Sequence, residues 1–186
     1  MKRLLIAILM VLLLTGCGGK DQGDKETVDQ SVTKKEDIPD DSNTDTPVVK
    51  DGYVFEYNGV DIQMNSDAAP VLKSLGEPQE YFEAKSCAFD GMDKTYFYSG
   101  IELTTYPKSD NEDYTSSIYF KDDSVSTKEG ICIGSTLQQL LDAYGENYSG
   151  NETSYTYKKG DSSIMFIVNE DEVTSITYLA DIPELQ

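Results

Sequence analysis

Three cysteines, 34 carboxylates and no histidine define the chemistry open to this chain. Without an imidazole there is no Ser-His-Asp or Cys-His nucleophile, no histidine metal site, and no ordinary general base near neutral pH. Carboxylate-only chemistry survives: two Asp or Glu side chains can share general acid and base work at a glycosidic bond. Residues 51–186 hold 25 acids, so some carboxylates must lie close together by chance, and proximity alone carries little. Ser31-Val32-Thr33-Lys34 matches a Ser-x-x-Lys nucleophile pattern, but it falls in a polar tail with nothing to position it. There is no Gly-x-Gly-x-x-Gly and no Walker-type loop, so no nucleotide cofactor is expected. The acidic runs 110–113, 122–123 and 169–172 lack the spacing and glycine of a calcium loop and read as solvated charge, so no metal is expected.

The remaining reactive group is a thiol. Lys2 and Arg3 precede an uncharged apolar run at residues 4–14. A helix needs about 20 residues to cross a hydrocarbon core, so this run is too short to span, and it suits the core of a signal peptide. It ends in Leu14-Thr15-Gly16-Cys17, which resembles the bacterial lipobox. That resemblance marks residues 1–17 as a lipoprotein signal-peptide segment, with cleavage before Cys17 and diacylglycerol on the Cys17 sulfur. Two acyl chains anchor stably because each buried CH₂ adds ~0.8 kcal/mol. The expectation is a protein lipid-anchored to the cell membrane on its extracytoplasmic face. Cys87 and Cys132 are then left as an even pair outside the reducing cytoplasm, which suggests a disulfide adding ~4 kcal/mol. The alternative is two thiols packed as small apolar side chains.

Residues 18–50 show no apolar periodicity and consist of Asp, Lys, Thr, Ser, Gln and Gly with isolated Val and Ile. Such a segment cannot bury enough surface to offset its ordering entropy, and it reads as a disordered acidic stalk. Residues 51–186 are long enough for a single domain with its own core. Its 25 acids face eight lysines and no arginine, a net charge of −17. Nucleic-acid binding needs clustered cations to neutralise phosphates and is excluded. An anionic lipid surface is equally unattractive to this domain, which leaves the N-terminal lipid as the link to a membrane.

Within the domain, Ile62-Gln63-Met64-Asn65-Ser66 aligns with Ile131-Cys132-Ile133-Gly134-Ser135 at an offset of 69 residues. Each copy continues as an apolar-faced helix ending at a glycine, Gly76 or Gly145. Leu137, Leu140, Leu141 and Tyr144 recur at helical spacing, and Val71, Leu72 and Leu75 match them. Ser66 and Ser135 are expected as N-caps, and the glycines as left-handed C′ residues. Beyond each helix the period falls to two. Residues 95–98, Ser99-Gly100 and 101–104 predict a hairpin with third strand 116–121. Residues 153–157, the turn 158–161, 163–168 and 173–179 repeat it. Residues 80–89 predict an extra strand, and residues 53–57 an edge strand. The class is α+β: tandem helix-plus-meander repeats at 59–125 and 128–180, forming one curved antiparallel sheet with both helices on one face.

Ser66, Leu72, Leu75, Gly76 and Pro78, then Gly134, Ser135, Leu141, Tyr144 and Gly145, resemble the repeat of the β-lactamase inhibitor protein fold and of BamE/SmpA-like lipoprotein modules. Asn147 stands where the second copy would carry proline. The chain also resembles tandem-repeat lipoproteins of unknown role in low-GC Gram-positive bacteria. The resemblance implies a binding scaffold rather than an enzyme.

The hairpin register predicts which side chains such a scaffold would present. Tyr96, Tyr98, Ile101, Leu103, Ile118, Phe120, Tyr155, Tyr157, Ile164, Phe166 and Val168 are expected under the helices. Phe97, Glu102, Tyr106, Tyr119, Met165 and Ile167 are expected on the opposite face, as a surface for a protein or other envelope partner. Two other readings remain open: a carboxylate-dependent hydrolase of wall glycans, and a purely structural spacer.

Overall fold

The structure, a computed structural model, describes residues 51–183. Cys17, the signal-peptide segment 1–17 and the stalk 18–50 lie outside the described residues. The chain opens with a hairpin, β1 (Val54–Tyr57) and β2 (Val60–Gln63), followed by α1 (Ala69–Leu75). A first meander follows: β3 (Glu80–Lys85), β4 (Met92–Phe97), β5 (Ile101–Ser109) and β6 (Glu112–Phe120). Then come α2 (Leu137–Tyr144) and a second meander: β7 (Ser149–Asn151), β8 (Ser154–Lys159), β9 (Ser162–Asn169) and β10 (Glu172–Ala180). The fold is α+β and dominated by antiparallel sheet.

Eight strands form one sheet in the order β3-β4-β5-β6-β10-β9-β8-β7. The two meanders therefore meet through their last strands, and their first strands are the outer edges. The seam is short: Thr177, Tyr178 and Leu179 of β10 face Tyr119, Ile118 and Ser117 of β6. Before that seam, residues 65–68 take the place of β10 beside β6. The Asn65 N–H donates to the Thr115 carbonyl at 2.8 Å and the Thr115 N–H to the Ser66 carbonyl at 2.9 Å.

Alternation puts one set of side chains from every central strand into a single core. Leu103, Ile118, Tyr178 and Ile164 are fully buried in it, together with Phe55, Ile62 and Met64 of the hairpin layer and Leu140 of α2. Val71, Leu72, Leu75, Leu137, Leu141 and Tyr144 pack on the same cluster, so both helices cover the same face. Tryptophan is absent, and Tyr and Phe supply the large contacts: Phe55 lies 5.0 Å from Phe120 and 5.4 Å from Tyr178 between ring centroids.

Three local expectations need correcting. Residues 54–57 do not join the large sheet as an edge strand. They pair with β2, because Asn58-Gly59 at φ 52° and 77° forms the tight turn that right-twisted strands prefer. Ser66 and Ser135 are not helix caps. Ser66 Oγ donates to the Gln63 carbonyl, and Ser135 Oγ accepts from the Cys132 N–H. The N-caps are Ala68, which offers no side chain, and Thr136, which forms a reciprocal capping box with Gln139. Gly76 and Gly145 do end the helices at positive φ. Their ψ values of −162° and −175° place them in an extended region reserved for glycine rather than in the left-handed helical one.

Candidate functional site

The sheet face away from the helices is the surface that the sequence singled out. Its register can be followed across all eight strands. One row runs Glu80, Phe97, Glu102, Tyr119, Thr177, Met165, Thr156, Ser149, each opposite the next. A second runs Phe82, Thr95, Thr104, Ser117, Leu179, Ser163, Lys158. None of these side chains belongs to the core cluster or packs against it. Charge on the two rows is confined to Glu80, Glu102 and Lys158, in a domain where acids outnumber lysines 25 to eight. Apolar and hydroxyl-bearing groups fill the rest, and every Thr and Ser there can donate and accept hydrogen bonds.

The predicted face residues divide. Phe97, Glu102, Met165 and Ile167 are half-buried on this surface, and Tyr119 is 39% exposed. Lys121 sets its ammonium 5.9 Å from the centre of the Phe97 ring, a weak cation–π contact at an exposed site. Tyr106 is not part of the open surface: it is 3% exposed. Its ring lies 5.0 Å from Phe89 and 6.2 Å from Tyr114, and its hydroxyl donates to Asn65 Oδ1 at 2.7 Å. Two non-local features bury it. A bulge in β6 leaves Ser116 between the Thr104–Ser117 and Thr105–Thr115 pairs, which increases the local twist. The loop 86–91, tied by Ser86 Oγ to the N–H groups of Ala88 and Phe89, brings Phe89 onto the ring. Gly91 closes that loop against Pro107, where a β-carbon would come within 2.7 Å of the proline ring.

Phe82 is the residue that the alternation argument missed. At 60% exposure it is the most open large apolar side chain among the described residues, and its β3 neighbour Tyr81 is 49% exposed. Adjacent strand residues point to opposite faces, so a Tyr-Phe pair must present one ring to each face. The Tyr81 hydroxyl donates to Glu83, and burial together with that carboxylate raises its pKa.

Of the two readings of Cys87 and Cys132, the disulfide is not formed. Cys87, in the loop 86–91, and Cys132, ahead of α2, are both free, with Cys87 exposed and Cys132 half-buried beside Ser135 Oγ at 3.6 Å. They sit in different loops, so an even cysteine count did not translate into proximity.

A concavity of about 590 Å³ lies at the β5–β6 turn between Asp90, Lys94, Asp110, Glu112 and Asp113. Lys94 donates to Asp113 Oδ2 at 2.6 Å, and this bond is the main reason its ammonium pKa is raised. Asp113 is thus committed to an ion pair. Among the described residues no three acid or cysteine side chains gather where a metal could sit.

On the covered face, burial is the leading cause of raised tyrosine pKa values: Tyr157 is pushed to about 12, and Tyr144 and Tyr178 are pushed up as well. Tyr144 donates to Glu129, whose charge also disfavours ionisation of both Tyr144 and Tyr178. The Tyr144 hydroxyl bonds Glu129 and the Tyr157 hydroxyl bonds the Gly145 carbonyl, on the face away from the open surface.

Comparison with protein families, curated proteins and solved structures gave no match to the chain.

Proposed function

We propose that this protein is a lipoprotein held at the outer side of a cell membrane through Cys17, and that its domain binds a protein or other envelope component without catalysing a reaction. The open sheet face is the observation that carries this reading. A continuous β-surface on which Phe82 and Tyr119 stand exposed among apolar and hydroxyl groups, with three charges on its two rows, suits contact with a partner. The lipobox-like segment and the stalk supply the tether.

The scaffold is read as two related helix-plus-meander units of the β-lactamase-inhibitor-protein kind. Matching details support it. Gly76 and Gly145 end their helices with nearly the same backbone angles. Each glycine carbonyl accepts a tyrosine hydroxyl from its own meander, Tyr98 at 3.1 Å and Tyr157 at 2.8 Å.

A photo-crosslinking amino acid placed at Tyr119 in the full chain, expressed in a bacterial host with a Gram-positive envelope, tests the face. A discrete adduct from Tyr119, with none from Lys73 on the helix side, is expected. No adduct from either site would leave the domain a spacer. In parallel, Cys17→Ala should move the protein from the membrane fraction to the medium, and retention would remove the tether.

A further inference from the structure

We infer that the free edge of β3 is a strand-addition site for an extended, lysine- or arginine-bearing segment of another protein. This goes beyond the face reading, because its contacts are made by the backbone edge of β3, to which Glu80 and Phe82 of the face rows also belong. β3 is an end strand of the sheet, and all six of its residues are exposed. The Ser86 N–H donates to the Gly91 carbonyl at 3.0 Å, continuing the β3–β4 register. Groups alternate along an antiparallel ladder, so Phe82 and Ala84 exchange bonds with β4. The N–H and C=O groups of Tyr81, Glu83 and Lys85 then point away from the sheet. An exposed row of that kind is a template for another strand.

The side chains say what kind of strand fits. Tyr81 and Phe82 stand on opposite faces of the edge, so an added strand would lie between two aromatic walls. Glu80 and Glu83 flank them, and Lys85 is the one cation of the strand. A second copy would bring another −17 of charge and set acidic edge against acidic edge, an arrangement that like-charge pairing disfavours. A segment alternating apolar and cationic residues satisfies both the rings and the carboxylates. The other end strand, β7, has only three residues, too few to template a long added strand.

The test uses the full chain and an acetylated Lys-Val-Lys-Tyr-Lys-Val-Lys peptide, read by amide hydrogen exchange. The amides of Tyr81, Glu83 and Lys85 should slow by roughly tenfold or more with this peptide. The same peptide with Glu for Lys should have no effect. Glu83→Pro removes one outward N–H and leaves the β4 ladder intact, and it should abolish the effect. Phe82→Ser should weaken it, a second readout should the proline variant misfold. Glu80→Lys with Glu83→Lys should transfer the preference to the Glu peptide. Met165→Lys, on the open face, should leave it unchanged, so the edge and the face can fail separately. Protection on β6 or β10 in place of β3 would overturn the inference. So would β3 protection in the free chain at low concentration, or protection that grows with protein concentration, since the occupant would then be the chain's own segment or a second copy.

Discussion

The two halves of the sheet share a plan and differ in how tightly they execute it. Both run from helix to meander, and both clamp the helix-ending glycine carbonyl with a tyrosine hydroxyl. In the second half, α2 starts with a capping box and fully buries Leu140. In the first half, α1 starts at Ala68 without a side-chain cap, carries proline in its first turn and buries no residue. Their outer strands follow suit: β7 is three polar residues, whereas β3 is six residues with two exposed rings. Exposed rings are more frequent in the first half, where Tyr81, Phe82 and Tyr119 are exposed, than in the second, where Tyr148 is.

Alkaline titration should reveal the largest effect. Tyr144, Tyr157 and Tyr178 all pack around α2 or in the second meander, and each has a raised pKa in the folded state. A tyrosine whose folded pKa exceeds the unfolded value of 10.0 gives stability that is intact below pH 10.0 and is lost as pH rises. For Tyr157 that loss runs from pH 10.0 to about 12. Tyrosinate absorbance and far-ultraviolet circular dichroism should change together above pH 10.0. Ionisation of every tyrosine with the fold retained would contradict the packing described for this half.

Next in size, Leu140→Ala should cost about 2–5 kcal/mol in urea unfolding, the range for emptying a fully buried aliphatic site. Val71→Ala, on α1, should cost less, because Val71 is only partly buried. Equal losses would erase the asymmetry between the halves. The smallest effect is at the caps. Thr136→Ala should cost about 1 kcal/mol. Ala68→Ser should recover nothing for α1, because Ala68 has helical backbone angles and is fully buried. A gain there would mean that α1 is limited by its missing cap rather than by its burial.

Period-two patterning placed Ile118, Phe120, Tyr155, Tyr157, Ile164, Phe166 and Val168 in the core correctly, because alternation is local and the covered face selects one parity. The same rule failed at Tyr106, whose burial depends on Phe89 and Asn65, residues 17 and 41 positions away. The β1–β2 hairpin was legible in Asn58-Gly59, and the α2 cap in Thr136-x-x-Gln139; in each case the stronger local signal lay beside the one chosen. Phe97, Glu102, Tyr119, Met165 and Ile167 could be read as one face from their own strands. The significance of Phe82 could not, because it rests on β3 being an end strand with no helix over it. Strand order follows from long-range pairing, to which a local pattern is blind.

Strand order also fixes when the sheet can be finished. Three residues of β10 close the seam against β6, and β10 follows the other seven strands of that sheet in the chain. The first meander can assemble beforehand, with residues 65–68 shielding the start of β6. Until Thr177 to Leu179 arrive, the backbone groups of Ser117 to Tyr119 that point away from β5 have only water as a partner. A chain halted before Glu172 would therefore be released with an open wound in mid-sheet, exposed to any strand that passes.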